Sequence, residues 1–295
     1  MKLKSVFKVL SLLLIMAIVS FSTVELSKTH GQIASSKDAT YDRVVNTGVI
    51  RAAYVVYAPG SIKDPNTGKL SGIFVETLNE AAKNMGMKVQ WTEEVGWASM
   101  IEGLQAGRYD IVGTAIWPTS SRGKLVDFTV PLNYSVLDAF VRTDDNRFNA
   151  DITKINDKSI KIATVDGEIS QIVAQNQFPN ATNLSLPQMS DLGASLLNVA
   201  DNKADVAFVE PYVASNFLKN NPGKVKDITL GKPLLTYGNS MMIRKGDSEF
   251  KSMLDTSLTE LINSGFVNTE MTKYEKDYAG AYYRVAAPFV VPQTK

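Results

Sequence analysis

Short apolar, β-branched runs alternate along this chain with stretches in which apolar residues recur every three or four positions. Gly48–Tyr54 reads as a strand and is followed by a turn at Asp64-Pro-Asn-Thr-Gly68. Val75, Leu78, Ala82 and Met85 then mark one face of a helix that Gly86 stops. Lys88–Val95 predicts a second strand. Trp97–Ala106 predicts a helix with Met100, Ile101 and Leu104 inward and Gly107 as its cap. Asp110–Ile116 is too short for a typical helix and is ended by Pro118, so it reads as a buried strand. This β-α-β-α-β order predicts an α/β fold with a mainly parallel sheet and right-handed crossovers.

A second block repeats the plan on a smaller scale. Ile160–Val165 is a strand, and Asp166–Ser170 leads into a helix over Gln171–Gln177. A strand follows around Asn183–Leu186, then a helix from Asp191, a good N-cap, to about Lys203. Asp205–Glu210 is another buried strand, and Pro211 opens the next helix where proline is best tolerated. Two extended runs, Tyr134–Val141 and Leu234–Ile243, bracket this block, and each carries the chain from one half to the other. After Asp247, Phe250, Leu254, Leu258, Leu261 and Ile262 share one face of a long helix that ends near Gly265. Two crossings predict a hinged clamshell: lobe 1 from residues 42–138 and 240–295, lobe 2 from 139–239. The tail, Tyr278–Lys295, shows no periodicity and is expected only to pack on lobe 1.

Ahead of these elements, Lys2, Lys4 and Lys8 precede a thirteen-residue apolar run, Val9–Phe21. That run is short for a membrane span and has the build of a secretory signal peptide over residues 1–22, with cleavage near Ser22. An uncleaved anchor is the alternative. Residues 23–41 read as a disordered lead-in, and they hold the chain's one histidine, His30. With no cysteine there is neither a disulfide framework nor a lipid anchor on a mature amino-terminal cysteine. An exported, periplasmic protein is expected. Loss of the three leader lysines takes the formal charge from +1 to −2, which suggests neither nucleic acid nor anionic lipid as a partner. Without histidine or cysteine in the folded part, histidine-assisted nucleophiles and most zinc sites are excluded, and no cofactor is suggested.

The densest chemistry lies in Trp117-Pro-Thr-Ser-Ser-Arg122, just past the carboxyl end of a strand, where ligands gather in open α/β sheets. The fork of Arg122 suits a carboxylate gripped by two parallel hydrogen bonds, which a lysine cannot reproduce. A surface pairing with Asp127 is the competing reading. Asp110 and Asp127 themselves read as structural caps, and Lys154–Lys161 reads as a solvated face.

Four pieces in order, Asp64–Gly72, Trp97–Asp110, Arg122–Pro131 and Ala204–Glu210, resemble the extracellular solute-binding proteins, family 3, over about residues 45–274. That resemblance implies a type II periplasmic-binding fold, with two lobes and two crossover strands. It implies a monomer that closes on an amino acid or amino-acid-like solute and delivers it to the permease of an ABC transporter. Carried over residue by residue, it puts the carboxylate-binding arginine at Arg122 and the ring over the ligand at Trp97. It puts the acceptor of the α-ammonium at Glu210, and a turn whose backbone amides meet the carboxylate at Asp166–Ser170, including Glu168 and Ser170. Relatives often carry glycine where this chain has Ala115, and a smaller residue where it has Trp117. An indole there, with Tyr57 opposite, suits an aromatic, cationic or larger ligand. Trp97 alternatively belongs to the core, Trp117 to a wedge between lobes, and Glu168 to the helix dipole. The alternative function is an enzyme on the same scaffold, a cyclohexadienyl or arogenate dehydratase, with Glu210 or Glu168 as general acid or base.

Overall fold

A computed structural model describes residues 39–149, 151–229 and 231–285. The leader, most of the lead-in and the last ten residues of the tail lie outside them. The expected lead-in runs too far. Ala39–Thr47 form a helix (α1) in which Thr40 and Val44 are buried, so residues 39–41 belong to the folded unit.

The first half runs β1 (Val49–Tyr54), a small hairpin of β2 (Ile62–Lys63) and β3 (Leu70–Ser71), α2 (Ile73–Asn84), β4 (Lys88–Glu94), α3 (Met100–Gln105), β5 (Ile111–Ile116), α4 (Ser120–Gly123) and β6 (Val126–Phe128). The strand β1 lies parallel to both β4 and β5, as the βαβ rhythm predicts. The helix expected from Trp97 starts only at Met100. Residues 97–99 form a turn, because the backbone amides of Ala98 and Ser99 donate to the side chain of Gln188 from the other half (3.1 and 3.0 Å).

The long β7 (Asn133–Arg142) leads to a 3-10 turn (Ile152–Ile155) and then to β8 (Lys161–Val165), α5 (Ile169–Gln177), β9 (Thr182–Leu186), α6 (Gly193–Ala200), β10 (Val206–Val209), α7 (Pro211–Asn220) and β11 (Val225–Asp227). The equally long β12 (Leu235–Arg244) returns to α8 (Ser248–Asn263), α9 (Phe266–Glu275) and a short β13 (Tyr283–Arg284). The N-cap is Leu192 rather than the expected Asp191, which lies one residue earlier and accepts from Gly193 N through its Oδ1 at 2.8 Å, and the helix is shorter than expected.

Strand order is β4-β1-β5-β12-β7-β10-β8-β9, so one continuous sheet carries both lobes. The two long strands make the join. Residues 133–137 of β7 pair antiparallel with 235–239 of β12. Beyond that ribbon, β7 turns to β10 and β11, while β12 turns to β5 and β6. The lobes join through this narrow ribbon, an arrangement suited to hinge motion.

Each lobe has its own core. In lobe 1, Phe74 and Leu78 of α2 pack with Phe250, Leu254 and Leu258 of α8, all fully buried, at roughly 1.5–3 kcal/mol per side chain. In lobe 2, Ile162, Phe208, Val173 and Phe178 play that part. Asp110 is structural, as expected. Its carboxylate accepts from Arg51 N and Arg51 Nη2, both at 2.7 Å, and pairs with Arg43, tying α1 and β1 to the start of β5. Asp110→Ala removes the acceptor of Arg51 N and of two partly exposed arginines and is expected to destabilise the protein by about 1–3 kcal/mol. A thermal melt unchanged from wild type would contradict that role.

Candidate functional site

Arg122 sits on α4, a single turn whose N-cap, Thr119, accepts from Arg122 N through its side chain. The guanidinium is buried inside the cleft. Its Nη1 donates to Trp117 O (3.0 Å), and its Nη2 crosses to Gly167 O of lobe 2 (2.8 Å). Among the described residues no carboxylate lies within ion-pairing distance of it. The alternative pairing with Asp127 does not form, since Asp127 accepts instead from Lys245 Nζ (2.6 Å) and Gly246 N (2.9 Å). Burial pulls Arg122 down to about 10, so it stays charged at neutral pH, with Glu168 favouring the charged form.

Trp117 lies between the cavity and the ribbon. It lines the cleft, and its ring stacks on Tyr237 of β12 (4.6 Å between centroids, 24° between planes). Its Nε1 donates to Asn239 Oδ1 at 2.5 Å, and Asn239 Nδ2 donates to Asn133 Oδ1 at 2.8 Å. The indole therefore braces the ribbon where both crossover strands pass.

From lobe 2, the turn at 166–170 presents a side chain rather than its amides. Ser170 N and Ser170 Oγ both donate to Glu168 Oε2 (2.7 and 2.5 Å), and Gly167 N donates to Gln171 Oε1. These groups, expected to meet a ligand carboxylate, are already satisfied, and Ser170 is not among the residues lining the cavity. Burial pushes the Glu168 carboxyl up, against the hydrogen bonds from Ser170 and Ile169 and the charge of Arg122.

Glu210 follows the last residue of β10 and caps α7 ahead of Pro211, so strand and helix fix its direction. It hydrogen-bonds with the Tyr57 hydroxyl, while its Oε2 is buried with no partner among the described residues. Burial, and then the charge of Glu168, push its carboxyl up to about 8. Burial and Glu210 in turn raise Tyr57 well above the ordinary phenol range. Tyr57 is held by a tight loop in which Tyr57 and Ser61 exchange both backbone hydrogen bonds (2.8 and 2.9 Å).

These side chains meet. Tyr57, Trp97, Ala115, Trp117 and Arg122 from lobe 1 and Glu168, Ile169 and Glu210 from lobe 2 enclose one cavity of about 10 Å³, room for about one water. It carries one guanidinium and two carboxyls. Residues 50–277 match the bacterial extracellular solute-binding proteins, family 3.

The chain belongs to that family.

This solute-binding protein is similar to the L-cystine-binding protein TcyA of Bacillus subtilis, at 26% identity over 223 residues, 74% of this chain and 77% of the relative. It is also similar to a probable histidine-binding protein of Neisseria gonorrhoeae, at 25% identity over 268 residues, 90% and 93% of the two chains. Among solved structures, an ancestral amino acid-binding protein described as a precursor of cyclohexadienyl dehydratase superposes with a TM-score of 0.66 at 26% identity, covering 81% of this chain and 99% of that one. The fold is the type II periplasmic-binding fold. Among the described residues no helix is long and apolar enough to cross a membrane, and no cluster of three His, Cys, Asp or Glu is placed to hold a metal ion.

Three contributors to the solute-binding protein's cleft escaped the sequence reading. Ile169 is an apolar wall with no polar signature. Asn239 lies inside a crossover strand and looks there like one more strand residue. Tyr282, in the unpatterned tail, is buried and interacts with Glu210, while Tyr278 packs on Tyr212 of lobe 2 (5.4 Å). The tail therefore reaches across to the second lobe rather than packing on lobe 1 alone.

Two further contacts, beside the Arg122–Gly167 bond, hold the cleft shut. Gly167, at φ +74°, lies so close to lobe 1 that a Cβ on it would sit 2.5 Å from the Cα and N of Ala98. Beside it, Gln188 Oε1 accepts the two amides of the turn before α3. Gln188→Ala removes both bonds, each worth about 0.5–1.5 kcal/mol net. It is expected to enlarge the radius of gyration of the ligand-free protein in X-ray scattering, and a profile identical to wild type would refute a latch.

Proposed function

We propose that this chain is a periplasmic binding protein that closes on a free amino acid and presents it, as a monomer, to the permease of an ABC importer. One observation carries the reading: Arg122 and Glu210, from opposite lobes, face a single buried cavity. A guanidinium with N–H groups to spare binds a carboxylate, and an unpartnered carboxyl oxygen accepts from an ammonium. Once the lobes part enough to admit it, a zwitterion between them satisfies both, and its contacts to the two lobes favour closure around it. Trp97 and Tyr57, edge to face at 5.8 Å, roof the space with apolar surface. The relatives support the solute class, since they are named for cystine and histidine.

Titration calorimetry with the common amino acids tests this, preceded by mass-spectrometric identification of whatever co-purifies. Saturable one-to-one binding supports the reading, and heats no larger than dilution across the whole panel would sink it. A second reading draws on Glu210. A buried carboxyl raised to about 8 remains protonated at neutral pH and is able to donate a proton, as a dehydratase's acid does. Release of product from arogenate or prephenate, followed by chromatography, would favour the enzyme; intact substrate after prolonged incubation favours the binding protein.

A further inference from the structure

The match to the family ends at residue 277, yet the residues just beyond it lead back to the site. After α9 stops at Glu275, Tyr278 packs on Tyr212 of α7, and Tyr283 and Arg284 of β13 pair with Tyr134 and Asn133 at the start of β7. The Arg284 guanidinium fastens this segment to α9: it pairs with Glu275, donates to Asn268 and reaches Thr272 Oγ1 at 3.1 Å. Between these ties Tyr282 turns inward, 9% exposed, its ring edge-on to Phe74 of α2 (6.4 Å between centroids, 65° between planes).

The Tyr282 hydroxyl ends behind the cavity wall. A Cβ placed on Gly60 would lie 2.9 Å from that oxygen and 3.4 Å from the Cβ of Ala115, which lines the cavity, so the phenol has room because residue 60 carries no side chain. Among the described residues the hydroxyl is buried with no hydrogen-bond partner, and so is Glu210 Oε2. Burial, and then the charge of Glu210, hold the Tyr282 proton well above the ordinary phenol range, so the group is a donor at any working pH. Glu210 has acceptor capacity left: the Tyr57 hydroxyl serves it from one side, and an ionised carboxylate offers about four lone-pair sites. The other titratable groups around it are Glu168 before α5, Tyr212 at the start of α7 and Arg122 across the cavity, and none of these bonds to Oε2.

We propose that Tyr282 is a positioning residue of the binding site: when Glu210 ionises to receive the ligand's ammonium, the tail's hydroxyl donates to that carboxylate from behind and fixes its direction. The inference rests on the amino-acid reading above and adds to the site a residue from beyond the family match. Two buried oxygens without partners become one charge-assisted hydrogen bond. Glu210 then accepts from three sides, from Tyr57, from the ammonium and from Tyr282.

Tyr282→Phe tests it, because phenylalanine keeps the ring against Phe74 and removes only the oxygen. Calorimetry with the common L-amino acids and L-cystine selects the tightest binder as the probe. Its affinity is then followed from about pH 5.5 to 8.5 in the wild type, Tyr282→Phe, Glu210→Gln and the double variant, the span in which Glu210 changes charge. Tyr282→Phe is expected to weaken the probe at least about fivefold at neutral pH and to move the midpoint of its rise in affinity upward by about half a pH unit or more. In the Glu210→Gln background the same change is expected to leave affinity within about 1.5-fold, because a residue that acts through another has no effect once that other is gone. Equal losses in both backgrounds, or a Tyr282→Phe protein with wild-type affinity and pH profile, would overturn the positioning role and leave the amino-acid reading standing. No binding of any member of the panel would overturn both.

Discussion

Exchanging Arg122 for lysine is expected to weaken amino-acid binding by at least tenfold, with the fold intact. The guanidinium already spends Nη1 on Trp117 O and Nη2 on Gly167 O, one carbonyl from each lobe. The residue also lines the cavity. A lysine places one compact ammonium on a flexible stem and cannot hold two fixed carbonyls while meeting a carboxylate side by side. The expected loss corresponds to roughly 1.5–3 kcal/mol, the range for hydrogen bonds to charged groups. Calorimetry checks affinity, and a thermal melt of the same sample checks folding. Unaltered affinity in a folded Arg122→Lys variant would remove this residue from the site.

The Glu210→Gln variant is expected to lose at least tenfold in affinity for an amino acid but much less for its deaminated analogue. Equal losses for both ligands would show that the carboxylate does not receive the ammonium. The same substitution bears on acidity. Closed around its cavity, Glu210 sits near 8 against an ordinary 4.5, so the folded form holds a proton that the unfolded chain gives up. The contribution of this one group to the stability of the ligand-free protein is then fully present below about 4.5 and is lost as pH climbs towards about 8, at up to roughly 1.4 kcal/mol per unit. Glutamine carries no such proton, so melting temperatures of the variant should fall less steeply between about pH 5 and pH 8. Glu168, also raised by burial, contributes in the same direction and keeps the variant's slope from vanishing. Slopes that coincide would refute a raised Glu210. A bound ammonium favours the ionised carboxylate, so affinity should improve over the same interval.

The elements were legible because each follows a local rule. Gly86 and Gly265 end helices in the left-handed region they alone tolerate cheaply, and Pro211 opens α7. The crossover strands betrayed themselves by bracketing a complete βα block. Seven of the eight candidate residues line one cavity because ligand groups in such sheets collect where strands end, and Trp117, Arg122 and Glu210 all follow strand ends. Ser170 failed for a reason no linear pattern contains. The carboxylate two residues before it reaches back to claim its amide and hydroxyl, a choice made by the buried setting of Glu168. Tyr282 and Asn239 were invisible because their roles arise from partners far off in sequence, Glu210 for Tyr282 and Trp117 and Asn133 for Asn239.

Residue 167 adds a point about tolerance to change. The lips of the mouth touch there through main chain alone, with less than a methyl group's clearance. How firmly the jaws seal is thus set by something that cannot drift by degrees. Side chains on the cavity wall can be exchanged without touching this contact, whereas the smallest possible enlargement at residue 167 acts as a doorstop. Selection can therefore rewrite what the vessel carries without having to reinvent how it shuts.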